Sequence, residues 1–148
     1  MKIDRRVLMH GLLALGASLA LPRILFAARP DKAFESTDAA SVNAELFGAT
    51  PTDSDRVIMK IPDIAENGAV VPVTVSTDLE KVESISVVVD NNPTPLAALF
   101  ELGPRSQAKI SVRIKMAESS PVRAIVKADG NLYSTEKEVK VTIGGCGG

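Results

Sequence analysis

Hydrophobic and polar residues alternate with a period of two along most of the chain after Asp55. Six segments rich in Val and Ile show this pattern, at residues 56–61, 69–76, 81–90, 108–116, 120–128 and 131–143. Alternation buries one face of each strand, as in antiparallel sheets. The sequence Ala-Asp-Gly-Asn at 128–131 predicts a tight hairpin turn. We therefore predict a mainly β, immunoglobulin-like antiparallel β-sandwich over residues 56–143.

The segment before the sandwich, residues 28–55, is polar with one helical pattern. Apolar residues recur there at helical spacing, at Ala39, Val42, Leu46 and Phe47. Ser36 or Thr37 offers an N-cap, and Gly48 followed by Pro51 ends the pattern. The spacing predicts a short N-terminal helix at 38–47 that covers a sheet edge or a partner surface.

One apolar run shows neither the alternation of a strand nor the spacing of an amphipathic helix. The run Pro-Leu-Ala-Ala-Leu-Phe-Glu-Leu at 95–102 lacks alternation, and two interpretations are open: a surface for a partner, or a buried turn of helix between strands. The chain also contains few aromatic side chains, which bury large areas where they occur in cores. A core of Val, Ile and Leu in a chain of this length is modest, which favours a permanent partner subunit.

The first 27 residues have the pattern of an export signal. Arg5 and Arg6 end a charged region, an apolar run covers 11–21, and Ala27 supplies a small residue for cleavage. The run is too short to span a bilayer as a helix. Adjacent arginines before a mildly apolar run favour the twin-arginine (Tat) pathway, so we predict a Tat-type signal peptide over 1–27. A general secretory signal and an uncleaved amphipathic anchor are the alternatives.

Removal of this signal changes the charge and removes the only histidine, His10. The remainder carries 13 basic against 17 acidic residues, a net charge of −4. Without a basic excess or an aromatic stacking platform, nucleic-acid binding is excluded. Without histidine, a Ser/His/Asp or Cys/His catalytic pair and a histidine-ligated zinc or copper site are excluded as well. We therefore expect neither a cofactor nor a metal.

The only cysteine, Cys146, stands third from the end of the sequence among four glycines, Gly144, Gly145, Gly147 and Gly148. Glycine populates both signs of φ, so residues 144–148 are predicted to form a narrow, flexible arm that carries the thiol about 10 Å beyond the last strand. No activating base accompanies this nucleophile in the sequence. That combination is typical of a carrier on which other enzymes act, and not of an enzyme.

Other interpretations of Cys146 are open at this point. A structural β-sandwich subunit could use it for an intermolecular disulfide, since a single cysteine has no partner within the chain. An inert glycine tail and a metal-delivering thiolate are disfavoured. A thiol-disulfide enzyme is disfavoured because the sequence has no Cys-x-x-Cys pair. Prenylation would need the cysteine in the fourth position from the end.

Three stretches carry a resemblance to a known family: the terminal GGCGG, VKADGNLYSTEKEVKVTI at 126–143 and IPDIAENGAVVPV at 61–73. Together they resemble SoxY, the sulfur-carrier subunit family of the bacterial thiosulfate-oxidising Sox system, over nearly the whole mature chain. The resemblance implies a periplasmic heterodimer with SoxZ, both subunits being immunoglobulin-like. It also implies that Cys146 is the sulfur attachment residue and that the four glycines form its arm.

The resemblance further implies a sequence of partner enzymes. The haem enzyme SoxXA joins thiosulfate oxidatively to the cysteine, which gives an S-thiosulfonate. SoxB hydrolyses off sulfate and leaves a persulfide, which the sulfur dehydrogenase SoxCD oxidises in systems that have it. The redox and hydrolytic centres then belong to the partners. We expect this chain to be a carrier without a cofactor, and without a membrane anchor after signal cleavage.

Overall fold

The computed structural model describes residues 30–143, and this part of the chain is mainly β. Two short helices precede the sheets, α1 (Asp31–Glu35) and α2 (Ala39–Phe47). Nine strands follow: β1 (Thr52–Asp53), β2 (Val57–Lys60), β3 (Ile64–Ala65), β4 (Val71–Thr77), β5 (Val82–Val89), β6 (Leu96–Glu101), β7 (Lys109–Ile114), β8 (Ser120–Ala128) and β9 (Asn131–Val141). No helix in the described range is long and apolar enough to cross a membrane. The sequence analysis did not predict α1, β1 or β3.

The strands form two sheets. The larger has the order β1-β9-β8-β5-β6, with β3 also pairing with β9, and the smaller has the order β2-β4-β7. β1 and β3 run parallel to β9, and every other pairing is antiparallel. The six alternating segments correspond to β2, β4, β5, β7, β8 and β9. The predicted immunoglobulin-like β-sandwich is therefore confirmed.

The main core lies between the two sheets. The smaller sheet contributes Val71, Val73 and Val75 of β4, each at most 1% exposed. The larger sheet contributes alternate residues of β5 and β8, among them the fully buried Ile85 and Val87. Burial of one such side chain stabilises the fold by about 1.5–3 kcal/mol. The alternation in the sequence thus marks the faces that meet between the sheets.

The helices form a third layer on the outer face of the larger sheet. Ala33 and Val42 pack there against Val88, Leu96 and Ile125. β5 is covered on both sides as a result, and its last six residues are all buried. α2 therefore covers a sheet face, whereas the sequence predicted a sheet edge or a partner surface.

The ends of α2 are set by Asp38 and Gly48. The Asp38 carboxylate accepts hydrogen bonds from the Ser41 hydroxyl and from the backbone N–H groups of Ser41 (3.1 Å) and Ala40 (2.8 Å). The bonds from Ser41 contribute most to holding the pKa of Asp38 below its ordinary value. Asp38 is thus the N-cap, in place of the two earlier residues predicted for that role. Gly48 ends the helix as predicted, with a φ of 65° that favours glycine.

The apolar run that lacked alternation forms a strand, β6, which corrects the helical interpretation. It pairs antiparallel with β5, but the register shifts between two neighbouring pairs, Val88 with Leu96 and Val87 with Ala98. The extra residue in this bulge, Ala97, reverses the alternation of side chains along the strand. A period of two is for this reason not visible in the sequence of β6.

The predicted turn at 128–131 joins β8 to β9. Ala128 pairs with Asn131, and both central residues have a positive φ, 49° at Asp129 and 76° at Gly130. Two left-handed residues form the type I′ turn, whose twist matches that of the flanking strands. The hairpin prediction is therefore confirmed.

Candidate functional site

The residues predicted to take part in function lie outside the described part of the chain. They are the attachment residue Cys146, the arm residues Gly144, Gly145, Gly147 and Gly148, and the signal residues Arg5 and Arg6. The structure describes the platform that precedes the C-terminal tail, up to Ile143. We call residues 141–143 the arm base.

The loop that follows β3 holds the arm base. The backbone N–H of Thr142 donates to the carbonyl of Ala65 (3.1 Å), and its hydroxyl donates to the carbonyl of Glu66 (2.9 Å). The N–H of Gly68 donates to the carbonyl of Ile143 (2.8 Å). These bonds continue the parallel pairing of β3 with β9. The backbone is thus held through the last described residue.

The loop between β7 and β8 holds the other side of the arm base. The Ser119 hydroxyl accepts the N–H of Val141 (2.9 Å). The N–H of Met116 donates to the carbonyl of Gly68 (2.7 Å), so the two loops are bonded to each other. The side chain of Asn92 makes two further bonds to the second loop (2.8 and 2.9 Å). Each hydrogen bond contributes about 0.5–1.5 kcal/mol net, and together they join the arm base to both sheets.

Exposed apolar side chains surround the arm base. Ile143 is 68% exposed, Ile64 58% and Val70 53%. All three lie on or beside the segments that these hydrogen bonds connect. The end of the sandwich that precedes the tail is thus partly apolar as well as exposed, a composition that suits contact with another protein.

The described residues do not bring together a metal-binding set. No group of three or more His, Cys, Asp or Glu that could hold a metal ion occurs within residues 30–143. A cavity of about 770 Å³ opens beside α2, lined in part by Phe47, Glu83 and Lys127. Lys127 precedes the hairpin turn between β8 and β9, whereas the arm base lies at the opposite end of β9. The cavity is therefore remote from the arm base.

A charged cluster lies on the outer face of the larger sheet. Arg123 of β8 donates to Glu136 (2.6 Å) and to Asp90 (3.2 Å). The pKa of Asp90 is raised, because burial of its carboxyl outweighs the attraction of Arg123. The Oδ1 atom of Asp90 is buried and has no hydrogen-bond partner among the described residues. The charged form of this carboxyl is therefore poorly compensated.

We predict that Asp90→Asn preserves or raises the melting temperature near neutral pH. A raised pKa means that the stability this group contributes is fully present below its unfolded pKa and is lost as the pH rises through the folded pKa. Asparagine keeps the shape without the charge. The difference in melting temperature from the wild type, measured at about pH 3.5 and about pH 7, should favour the variant more at the higher pH.

The matched control is Asp78→Asn, because the Asp78 carboxylate pairs with Arg56 at the surface, where it is 75% exposed. Surface ion pairs contribute little, so this variant should behave as the wild type at neutral pH. A clear loss of stability in Asp90→Asn at neutral pH would mean that the bond to Arg123 outweighs the burial.

Sequence reasoning did not find the loops that hold the arm base. Asn67 followed by Gly68 is a turn signal, and the Asn67 side chain does accept the N–H of Ala69 (2.8 Å). Ser119 gives no such signal, because its bond joins it to a residue 22 positions away. The sequence indicates the turn at Asn67 and Gly68, but it does not indicate that this turn contacts the end of β9.

A comparison with protein families matches residues 43–146 to the family described as sulfur oxidation protein SoxY. The last matched residue is Cys146. A comparison with curated proteins found no match.

Among solved structures, the sulfur carrier protein SoxY from Chlorobium limicola f thiosulfatophilum is 40% identical to the chain, with a TM-score of 0.63. That alignment covers 70% of this chain and 96% of the other. A superoxide reductase (neelaredoxin) from Ignicoccus hospitalis is 16% identical, with a TM-score of 0.52 and coverage of 57% and 79%. The second likeness concerns the fold alone, whereas the first extends to the sequence.

Proposed function

The chain belongs to the SoxY family of sulfur-oxidation carrier proteins, and from this premise we propose that it carries sulfur covalently on Cys146 during periplasmic thiosulfate oxidation. One observation carries the proposal: the family match extends to Cys146, the only cysteine of the sequence. A covalent sulfur carrier needs a nucleophile, and the thiolate is the nucleophilic form of cysteine. Cys146 is therefore the attachment residue of the proposal.

The proposed cycle has two covalent steps, each catalysed by a partner enzyme. In the first, the cysteine sulfur bonds to the outer sulfur of thiosulfate, the thiol proton leaves, and SoxXA accepts two electrons. The product is a cysteine S-thiosulfonate. In the second, SoxB adds water across the bond between the outer sulfur and the sulfonate group, which releases sulfate and leaves a persulfide. SoxCD, where present, oxidises the remaining sulfur.

The part of this chain in the cycle is to hold the cargo and to present it. Covalent attachment prevents loss of a reactive sulfur species to solvent between active sites. Hydrogen bonds hold the backbone at Ile143, and three extended residues from there to Cys146 span about 10 Å. We propose that the four glycines around Cys146 keep the arm narrow and flexible enough to enter a channel in each partner.

The proposal includes the setting of the carrier. It is a heterodimer with SoxZ in the periplasm, exported through the Tat signal that contains Arg5 and Arg6, without a membrane anchor after cleavage. The exposed apolar residues at the arm base support contact with other proteins. Two measurements test the setting: co-purification of a second small, β-rich subunit, and the N-terminal residue of the exported protein, expected at Ala28.

Intact-mass measurement tests the carrier function itself. The chain is incubated with thiosulfate and the conjugating enzyme, and its C-terminal peptide is analysed with and without reductant. We expect an adduct of thiosulfonate mass that reductant removes. If the only product is a Cys146-linked dimer without a sulfur adduct, the chain is instead a structural subunit that uses an intermolecular disulfide.

Bulky residues in the arm are expected to slow transfer without weakening the fold. Gly145→Leu or Gly147→Leu widens the arm, so thiosulfate turnover with the partner enzymes should fall about ten- to hundredfold, because small misplacements of a reacting group have effects of this size. The melting temperature should stay within about 1 °C, as for other substitutions outside packed regions.

Gly103→Leu is the matched control for the arm variants. A Cβ atom at position 103 would meet nothing closer than the Ser106 hydroxyl at 3.7 Å, and the position is exposed, so leucine there should change neither turnover nor stability. A loss of thermal stability in the arm variants alone would mean that the tail packs on the body, contrary to the proposed arm.

A further inference from the structure

The smaller sheet presents a cationic face to solvent. Its outward positions include Lys60 of β2 and Lys109 and Arg113 of β7, all exposed. The register places them opposite outward residues of β4, with Lys60 opposite Thr74 and Arg113 opposite Pro72. None of the three strands contains an acidic residue. We call the surface formed by these three cations and the outward residues between them the cationic face.

The charges of the cationic face are not neutralised within the described chain. Lys60, Lys109 and Arg113 make no ion pair with any residue in the range 30–143. On the larger sheet, by contrast, Arg123 and Lys127 each pair with a carboxylate. The chain after the predicted signal has a net charge of −4, so this surface is an exception to the overall balance. Uncompensated cations on one face create a positive potential that favours an anionic partner.

The cationic face extends to the end of the sandwich where the arm base lies. Ile114, next to Arg113, pairs with Val71, and two residues further on Met116 bonds Gly68, which in turn bonds Ile143. Lys109 lies about 14 Å away from Arg113 along β7. Three residues span at most about 10 Å, so a protein that receives residue 146 has to approach this same end.

The composition of the cationic face fits a protein partner better than a nucleic acid. Residues that pair across the three strands form rows on the cationic face. Ile58, which is 52% exposed, lies in the row that contains Lys109, and the exposed Pro72 lies in the row that contains Arg113. The three strands contain no aromatic residue on which a base could stack. Between the rows, the hydroxyls of Thr74 and Ser111 bond each other (2.7 Å). This mixture of basic, apolar and hydroxyl groups is typical of the surface that proteins use to contact one another.

We propose that the cationic face docks on acidic protein surface beside the channel of the enzymes that receive the arm. This inference rests on the proposed carrier function. All three cations are exposed to solvent, and exposed charges at an interface affect the association rate more than the affinity. They therefore act chiefly on the approach of the partner: steering of this kind raises association rates by about 10- to 1,000-fold and weakens as salt is added.

Charge reversal at matched positions tests the proposal. The test variant is Lys109→Glu/Arg113→Glu. The control is Lys32→Glu/Arg105→Glu, which changes the net charge equally at two exposed cations that also lack an ion pair in the described chain. Association of the carrier with the conjugating enzyme is measured by stopped flow at about 20 mM and about 200 mM salt. We expect the test variant to associate at least about tenfold more slowly at low salt, with a weaker salt dependence, and the control to stay within about twofold of the wild type.

The outcomes separate the docking proposal from the carrier function. If wild type and test variant form the Cys146 adduct at the same rate at both salt concentrations, docking through the cationic face is wrong while the carrier function stands. If the wild type forms no adduct, the carrier function itself fails. Equal slowing of the test and control variants would indicate an effect of net charge alone and would overturn the proposal. Protection of Lys60 and Lys109 from acetylation by a permanently bound subunit would overturn it as well.

Discussion

Cys146→Ser is expected to abolish the sulfur adduct and to reduce thiosulfate turnover by the partner enzymes to the rate seen without the carrier. The substitution exchanges one atom. A free thiol has a pKa of about 8.5, so a few per cent of it is thiolate at neutral pH. A serine hydroxyl has no comparable ionised fraction. No other cysteine is present to take over the role. Intact mass and a turnover assay with the reconstituted partners measure the result.

Two controls distinguish a lost nucleophile from a damaged protein. If residues 144–148 form the proposed arm, the melting temperature of Cys146→Ser should equal that of the wild type within about 1 °C. In the same background, Gly147→Cys returns a thiol one position further along the arm and should restore part of the adduct. An adduct that persists in Cys146→Ser would show that sulfur is held elsewhere and would contradict the assignment.

Ile85→Ala is expected to lower the free energy of unfolding by about 2–5 kcal/mol, because it removes a fully buried side chain and leaves a cavity. Ile85 lies on β5, between two neighbouring strands, and its side chain faces the core between the sheets. Packed sheets on both sides limit how far the site can collapse. The described domain is slightly larger than those that lose about 4–8 °C per kcal/mol, so at roughly 4–5 °C per kcal/mol we expect a decrease of about 8–25 °C in the melting temperature.

Ile58→Ala makes the same chemical change at a position that is 52% exposed on the smaller sheet. It should change the free energy of unfolding by no more than about 0.5 kcal/mol. Denaturant unfolding of both variants gives the comparison directly. Similar losses in the two variants would mean that the outer face of the smaller sheet is as tightly packed as the core, contrary to the two-sheet arrangement.

The strands that were visible in the sequence are those with one buried and one solvated face. β4 is the clearest example, since Val71, Val73 and Val75 are buried and alternate with polar or exposed residues. β6 escaped detection because the bulge at Ala97 breaks the alternation. The helical layer on the outer face of the larger sheet was not predicted for another reason. No local sequence pattern indicates that α2 packs on Val88 and its neighbours.

The candidate site was predictable to a different degree. The sequence has a single cysteine, which lies among glycines, and it has no histidine after the predicted signal. Composition alone therefore reduces the kinds of reaction in which Cys146 could take part. The arm base was not predictable, because it depends on contacts such as that between Ser119 and Val141, which exist only once the sandwich has formed. A local sequence pattern can point to a candidate nucleophile. The position of the arm base depends instead on contacts between residues that are distant in the sequence.

β9 is an inner strand of the larger sheet, so this sheet cannot be completed before β9 is in place. The strand lies between β8 and the two short parallel strands, and Thr52 near the start of the described chain pairs with Tyr133 near its end. Pairing residues that are so far apart in the sequence closes a large loop. The entropy cost of closing this loop comes before the contacts that stabilise the sheet, and it slows folding. Because β9 is an inner strand, the larger sheet cannot be completed until the chain has been made as far as Val141. Until then the unfinished sheet keeps an open edge along β8.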